Sequence, residues 1–327
     1  MSSFLKMSRY KFIFLIALFF SAIIVFAQQT PRFTQFTLNN LGNNPAYAGS
    51  HPTQLEFMAG SRQQWFGFKG APRTTFFGVN YGYRGNYNYK GIHGFSAYME
   101  SDNVAGLRND SYYLGYAYHF RLVTGINVGF GLMAGMRSFG ISNSLYYAGD
   151  PAFQSSTDFV KLYPDVIPGF RMYSKRFFLD LSVRQIYKNK IQQNDQQIGT
   201  NAVLTPHYYF TYGRKIKMGY QNYVLVPAIH LQSNLVSPPQ LDLNAMIYLK
   251  KRIGLGLNYR VANSFSGILQ INVFKNSIVG ISYDYTTNKF TNAYSNTFEV
   301  MFGITPLSGD EKYSRSMNVV QCPSFDF

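Results

Sequence analysis

The feature that most constrains this chain is a run of alternating apolar and polar residues between positions 241 and 304. In its first segment Leu241, Leu243 and the following odd positions are apolar, whereas Asp242, Asn244 and Lys250 are polar. A period of two residues predicts a β-strand with one apolar and one polar face. The later segments repeat the pattern between turn residues, at the roughly 9–11 residues that a tilted strand needs to cross a membrane.

Strand length and composition favour a membrane barrel over a soluble sandwich, whose strands also alternate but usually have about 5–6 residues. Aromatic residues make up 18% of the chain and charged residues only 14%, against about 25% charged residues in a typical soluble domain. Outer-membrane barrels have aromatic girdles and a lipid-facing band that excludes charge. The sequence therefore predicts an all-β fold, a transmembrane antiparallel outer-membrane β-barrel.

The N-terminal segment predicts export from the cytoplasm. Lys6, Arg9 and Lys11 precede an apolar run at residues 12–26, and Ala27 is a small residue suited to cleavage. This run is shorter than the roughly 20 residues of a spanning helix, so we interpret residues 1–27 as a signal peptide cut near Ala27 and not as an anchor. Its removal takes away three positive charges and no negative ones, which lowers the net charge from +15 to +12.

The rest of the chain divides into an N-terminal segment, a barrel and a tail. Alternating segments over residues 55–304 predict about fourteen strands, within a range of about 12–16. An even number places both termini on the periplasmic side. Residues 28–54 are rich in turn formers and are predicted to be a plug, a lid or a periplasmic segment. Residues 305–327, with the single cysteine Cys322, form a periplasmic tail that either docks a partner or caps the barrel.

The connections between the predicted strands alternate in length, as in bacterial barrels with short periplasmic turns and long external loops. Long loops are predicted at residues 62–72, 102–110 and 140–165, among others. Lys and Arg collect in the short turns, which suits a periplasmic partner of acidic character or anionic lipid. Because these bases are dispersed and do not cluster on a helix, nucleic acid is not an expected partner.

The polar face of the strands predicts the character of the lumen. Its charged residues are Arg137, Asp180, Arg184, Asp242, Arg260, Asp284 and Glu299. Unpaired charges sealed from water are costly, so either water fills the lumen or these opposite charges pair. Because the signs are mixed, and a diffusion pore often carries a ring of one sign, we predict a plugged or narrow lumen held by ion pairs.

The sequence offers no pattern typical of an enzyme. The five histidines share no metal-ligand spacing, and the glycine-rich residues 129–135 lie within an alternating run and open no helix. No Gly-x-Ser-x-Gly nucleophile motif occurs. We therefore expect no catalytic residues, no cofactor and no metal.

Two motifs resemble a known family. The first is Asn-Pro-Ala-Tyr-Ala-Gly at residues 44–49, and the second is Arg-Gln-Gln-Trp-Phe-Gly-Phe-Lys-Gly-Ala-Pro-Arg-Thr at residues 62–74. At this spacing they resemble the PorP/SprF family of type IX secretion membrane proteins from Bacteroidetes. The family-motif residues are Asn44, Pro45, Tyr47, Gly49, Gly70 and Pro72. The resemblance implies an outer-membrane barrel that works with the type IX secretion machinery, places adhesins or other cargo on the cell surface and takes part in gliding motility.

The second motif is also the candidate site for partner contact. We predict that it forms the first external loop, where Arg62, Trp65, Phe66, Phe68 and Arg73 contact type IX components or secreted cargo, since exposed aromatic and arginine side chains dominate many interfaces. Trp65 is equally compatible with the membrane interface belt or an inward lid. The alternative function is a porin or transporter for small solutes, because a barrel fold does not determine function.

Overall fold

The computed structural model describes residues 30–50, 55–68, 70–84, 91–122, 125–141, 159–187, 192–193, 196–197, 205–219, 223–249, 252–274, 276–287 and 296–306. The long strands of these residues are β1 Leu55–Gln63, β2 Arg73–Arg84, β3 Gly91–Val104, β4 Leu107–Arg121, β5 Asn127–Ile141, β6 Phe159–Tyr173, β7 Phe177–Arg184, β8 His207–Arg214, β9 Tyr223–Ser233, β10 Gln240–Leu249, β11 Ile253–Arg260, β12 Ser264–Phe274, β13 Ser277–Thr286 and β14 Asn296–Ile304. Ile216–Met218 also pairs with β9, and Gln192–Gln193 pairs with Gln196–Gln197 in a separate small ladder.

These strands form one closed antiparallel barrel. Each long strand pairs with its neighbours in sequence, and β8 pairs with β9. The ring closes between β1 and β14, where Phe57 lies opposite Ile304 and Gln63 opposite Phe298. The prediction of about fourteen antiparallel strands is therefore confirmed for the part of the chain that the structure describes.

The alternation in sequence becomes an inside and an outside. The even-numbered residues of β10 between 242 and 248 and of β13 between 278 and 286 point inward and are buried. In β14 the odd-numbered residues between 297 and 303 do the same. The outward positions between them are largely apolar, as Leu243, Ile281 and Val300 show with exposed fractions of 43–52%. An apolar exterior around a polar interior is the arrangement that a barrel in lipid requires.

The barrel has two ends, which we name by their connections. The loop end carries the connections after β1, β3, β9 and β11, which include residues 64–72 and 234–239. The turn end carries the connections after β4, β6, β10 and β12, which include residues 174–176. Because the strands are antiparallel, β1 starts at the turn end and β14 finishes there.

Several boundaries differ from the sequence prediction. The predicted long loop at residues 102–110 is wrong, because β3 and β4 pair as far as Val104 and Leu107 and leave a two-residue turn. Ala105 and Gly106 have φ values of 50° and 84°, as tight hairpin turns require. The predicted loop at 140–165 is also shorter, since β6 begins at Phe159. Pro164 lies in the part of β6 that does not pair with β7, where a strand tolerates proline.

Residues 30–50 lie inside the barrel, and we call them the inner segment. They contain a short α-helix α1 at Asn40–Asn43 and a 3₁₀ helix at Pro45–Tyr47. Almost all of these residues are buried, and their polar groups bond to inward side chains on opposite walls of the barrel. Of the predicted places for residues 28–54, the lumen is therefore the one that residues 30–50 occupy. The tail at residues 307–327, with Cys322, lies outside the described residues, as do residues 1–29.

Candidate functional site: the packed lumen and the aromatic loop

The first family motif fixes the inner segment to the middle of the barrel. Asn44 caps the 3₁₀ helix by accepting a hydrogen bond from the Ala46 amide at 2.9 Å, and Pro45 opens that helix. The Asn44 amide group donates to Asp180 Oδ1 and to the carbonyl oxygen of Phe170, both at 2.8 Å. One asparagine thus orders the local turn and attaches it to β6 and β7.

The other residues of this motif contact the wall nearer the turn end. The Tyr47 hydroxyl donates to Glu56 Oε1 at 3.3 Å, and the Arg171 guanidinium lies 5.0 Å from the centre of the Tyr47 ring. The Gly49 amide donates to Asn80 Oδ1 at 2.7 Å. Gly49 has a φ of 75° and packs directly on the backbone of Gly94, so a side chain at either position would collide with main chain. The motif is therefore explained by packing inside the lumen.

A buried charge cluster grips the inner segment near the loop end. Arg62 Nη1 donates to Asp284 Oδ2 at 2.8 Å and forms an ion pair with Glu299. Thr34 adds its hydroxyl, which donates to Asp284 at 2.8 Å, and its amide, which donates to Glu299 Oε1 at 2.7 Å. The Gln35 amide donates to the other Glu299 oxygen at 3.1 Å. Two wall carboxylates therefore share one wall cation, and both accept hydrogen bonds from the inner segment.

A second cluster holds the start of the inner segment. Arg32 Nη2 donates to Asp242 Oδ2 at 2.6 Å, and Arg260 Nε donates to Asp242 Oδ1 at 2.8 Å. Asp242 therefore lies between two arginine side chains.

Further ion pairs cross the wall between neighbouring or distant strands. Arg171 Nη1 donates to both oxygens of Asp180 at 2.9 Å, and Arg184 Nη2 donates to Glu100 Oε1 at 3.1 Å. Arg137 is half-buried on the inward side of β5, and its guanidinium faces Gln185. The structure therefore brings six of the predicted lumen residues into two charge clusters and two ion pairs, whereas Arg137 contacts an amide.

Backbone contacts fill the space that side chains leave. A Cβ atom at Gly131 would lie 2.4 Å from the Ala46 amide nitrogen, and one at Gly169 would lie 2.1 Å from Asn44 Oδ1. Beside Asn39, the cavity lined by Glu56 and neighbouring residues has a volume of about 10 Å³, room for about one water molecule. At the level of the motif, the described part of the lumen is therefore packed.

The second family motif forms a loop with exposed aromatic side chains at the loop end. We call residues 64–68 and 70–72 the aromatic loop. Trp65, Phe66 and Phe68 have exposed fractions of 41%, 59% and 47%. Trp65 has a φ of 47°, a conformation that is costly for a bulky residue and persists only where its surroundings impose it.

Hydrogen bonds on both sides hold this loop in place. The Phe66 amide donates to the Asn296 carbonyl oxygen at 3.0 Å, and the Phe66 ring packs edge-on to Phe298, 5.4 Å between centres. On the other side, the Ala105 amide donates to the Gly70 carbonyl oxygen at 2.9 Å. At the base of the loop, the Gln64 amide donates to the Pro72 carbonyl oxygen at 2.9 Å. The aromatic side chains are therefore presented by a backbone that is bonded to β14 and to the β3–β4 turn.

One predicted contact residue lies elsewhere. Arg62 was expected in the external loop, but it belongs to β1, points into the lumen and is only 3% exposed. Its position is set by the strand period, because Glu56 and Met58 are buried at the same spacing. We therefore withdraw Arg62 as a partner contact, whereas Arg73 begins β2 at the loop end with an exposed side chain.

Sequence reasoning missed several residues of the charge clusters. Arg32 and Thr34 lie in the irregular inner segment, where no period indicates direction. Arg171 and Glu100 lie in strands, and their alternation with outward residues was a signal that could have identified them. Within the described ranges, no cluster of three or more His, Cys, Asp or Glu residues is arranged to hold a metal ion. No helix of those ranges is long and apolar enough to cross a membrane.

A closed antiparallel barrel with an apolar exterior and a polar, filled interior defines the class as an outer-membrane β-barrel protein. Residues 25–304 match the family model described as type IX secretion system membrane protein PorP/SprF. The chain belongs to this family, which confirms the resemblance found in its motifs. None of the curated proteins compared with the chain matches it.

Three of the solved structures that match this chain do so at very low sequence identity. The Acinetobacter baumannii outer membrane protein Omp33 is 6% identical, with a TM-score of 0.45 over 77% of this chain and 98% of that chain. The CymD monoaromatic hydrocarbon channel is 10% identical, with a TM-score of 0.48 over 82% and 92%. The Ralstonia pickettii toluene transporter TbuX is 9% identical, with a TM-score of 0.47 over 81% and 92%.

Proposed function

We propose that this chain is a non-enzymatic outer-membrane component of type IX secretion that receives or anchors secreted surface proteins, such as adhesins, at its loop end. The observation that carries the proposal is the aromatic loop, with three exposed rings on a backbone bonded to both neighbouring elements. Large rigid side chains lose little conformational freedom on binding and are typical of interface hot spots. Arg73 adds an exposed cation beside them.

The filled lumen supports placing the function at the ends of the barrel. The inner segment bonds to Asp180, Asp242, Asp284 and Glu299, which project from four different strands. A solute path would have to displace these contacts. The porin alternative makes a distinct prediction: the purified barrel in planar bilayers would carry a large and steady open current. We expect only small or transient currents, and a steady large conductance would replace the cargo proposal with the channel.

The proposed orientation places the loop end at the cell surface and the turn end in the periplasm. Exposed basic side chains at the turn end are Arg121, Lys175, Arg176, Arg214, Lys217 and Arg252. Of the described acidic side chains, those nearest this end are Glu56 and Asp180, and both are buried. This charge suits an acidic periplasmic protein of the secretion system, which long-range attraction would help to recruit. β14 also finishes at this end, where Thr305 and Pro306 follow it.

The test of the cargo proposal is a comparison of aromatic substitutions at the two ends. Replacing Trp65 and Phe66 with alanine is expected to leave barrel assembly unchanged and to reduce the cargo retained on the cell surface. The matched control is Phe274→Ala, which removes a ring that is 75% exposed at the turn end. Equal cargo retention in the double variant and the control would remove the aromatic loop from the mechanism.

Affinity purification from native outer membranes provides the second test. The proposal predicts that the barrel is recovered with other secretion components and a large surface protein. If Trp65→Ala and Phe66→Ala together abolish recovery of the surface protein but not of the periplasmic components, the two ends have separate partners. Recovery of the barrel alone would contradict the proposal.

A further inference from the structure

Two neighbouring connections at the turn end, after β6 and after β8, bring together a group of exposed basic side chains. These are Lys175, Arg176, Arg214 and Lys217. The Lys215 amide donates to the Arg176 carbonyl oxygen at 2.7 Å, which fixes the two connections side by side. Residues 174–176 and 214–219 include no acidic residue. Because like charges at this spacing repel one another, an anion bound among them is stabilised.

Arg214 lies on the face of β8 that points toward lipid. Every second side chain of β8 is buried in the lumen, and Tyr208, Tyr212 and Arg214 alternate with these buried residues. The exposed fractions of Tyr208 and Tyr212 are 42% and 37%. Phe177, on the outward face of β7, lies directly opposite Arg214. Arg214 therefore occupies the border of the lipid-facing surface, where aromatic residues mark the membrane interface and a long cationic side chain reaches the headgroups.

The connection after β6 holds two more cations close to Arg214. The Ser174 amide donates to the Phe177 carbonyl oxygen at 2.9 Å, and the Ser174 hydroxyl accepts from the Arg176 amide at 3.1 Å. These bonds close a tight turn that carries Lys175 and Arg176. Arg214 pairs with Phe177, the residue that follows this turn. Three cations therefore project from a backbone that is ordered before a ligand binds, which lowers the cost of binding.

An apolar strip on the outside of the barrel continues from these cations toward the loop end. Leu179 and Leu181 lie on the outward face of β7, and Ile229 lies on the outward face of β9. The exposed fractions of Leu181 and Ile229 are 43% and 36%. The charged group and the apolar strip therefore follow one another in the order in which a phospholipid presents its phosphate and its acyl chains.

We infer that this sector binds an anionic phospholipid, with the phosphate held by Lys175, Arg176 and Arg214 and the acyl chains along the outward faces of β7, β8 and β9. Arginine suits this ligand because its guanidinium group donates two parallel hydrogen bonds to phosphate oxygens. The inference goes beyond the proposed function and applies to either orientation of the barrel in the membrane.

Other exposed cations of the turn end lie outside this site and stay available to the proposed periplasmic protein. Lys217 pairs with Val224, whose side chain is buried in the lumen, so Lys217 is not on the lipid-facing side. Arg121 and Arg252 belong to the connections after β4 and β10. These three residues therefore provide a control with the same number of charges at the same end.

Native mass spectrometry of the protein, extracted from outer membranes and depleted of lipid in detergent, tests the inference. The probe is phosphatidylglycerol, compared with phosphatidylcholine that has the same acyl chains. Replacing Lys175, Arg176 and Arg214 together with glutamine is expected to weaken binding of phosphatidylglycerol at least about tenfold, because each cation near a membrane surface strengthens binding of anionic lipid about fivefold. Replacing Arg121, Lys217 and Arg252 with glutamine is expected to change it less than about twofold.

Equal binding of phosphatidylglycerol by the two triple variants would overturn the inference, since general surface charge would then explain it. Equal binding of phosphatidylcholine and phosphatidylglycerol by the unchanged protein would also overturn it. Heat-modifiable mobility checks that each variant forms the barrel. Should the first triple variant not assemble, Arg214→Gln alone is expected to lose about fivefold in affinity for phosphatidylglycerol, and unchanged affinity would count against the site.

Two competitors distinguish a lipid from other anions. Glycerol phosphate has the charged group without acyl chains, and displacement of phosphatidylglycerol at equal concentration would show a site for free phosphate and contradict the lipid. A polyglutamate peptide represents an acidic protein. If the substitutions at Lys175, Arg176 and Arg214 abolished binding of the peptide but not of phosphatidylglycerol, the cations would be a protein contact and the inference would be wrong.

Discussion

Removing the Arg62 cation provides the sharpest test of how the lumen holds together. In an Arg62→Leu variant, Asp284 keeps the Thr34 hydroxyl as donor and Glu299 keeps backbone amides, but neither carboxylate has its cation. Breaking a buried ion pair from one side typically costs about 3–5 kcal/mol. Arg62 pairs with two carboxylates, and we expect its replacement to lower the free energy of unfolding by about 3–5 kcal/mol.

The assay is equilibrium unfolding of the refolded barrel in urea, followed by tryptophan fluorescence and by heat-modifiable mobility. Arg73→Leu is the matched control, because it removes an exposed arginine from the loop end and is expected to change stability by less than about 0.5 kcal/mol. Adding Glu299→Gln to Arg62→Leu removes one uncompensated charge and is expected to restore part of the loss. Equal stability of the Arg62 and Arg73 variants would refute the ion-pair account of the lumen.

Two further substitutions test the packing of the first motif. Gly94→Ala places a Cβ atom 2.0 Å from the Ala48 carbonyl oxygen and is expected to destabilise the barrel by at least about 1–3 kcal/mol. The control Gly267→Ala adds a Cβ atom that meets no atom within 4 Å, and it is expected to be close to neutral in the same urea titration. Asn44→Ala removes two donors and a cap and leaves Asp180 with fewer partners, so a loss of about 1–3 kcal/mol is expected; an unchanged urea midpoint would contradict the role of Asn44.

The strands were predictable because a barrel in lipid repeats one requirement at every second residue. Leu243 must face lipid and Asp242 must not, so periodicity alone gives direction, and the pairing partner follows from chain order. The same period places Arg62 on the inward face, because Arg62 and Glu56 are both even-numbered residues of β1. The prediction failed there because the aromatic residues that follow suggested a loop that begins two residues before β1 ends.

The inner segment was much harder to predict. Its path depends on contacts with many strands, and neither α1 nor the 3₁₀ helix is long enough to leave a periodic pattern. A weaker signal was nevertheless present in the wall. Gly94, Gly131 and Gly169 occupy strand positions, where a glycine often marks the close approach of another backbone.

The contacts of the inner segment connect the packed part of the lumen to the aromatic loop. Glu299 accepts from two successive backbone amides, Asp284 from the Thr34 hydroxyl and Asp242 from Arg32. These carboxylates come from β14, β13 and β10. One short segment therefore bonds to three strands, of which only β13 and β14 pair directly with each other. The aromatic loop is bonded to Asn296 at the start of β14, three residues from Glu299. Loosening the charge clusters should therefore loosen the loop, and the Arg62→Leu variant should retain less cargo even though Arg62 itself never reaches the surface.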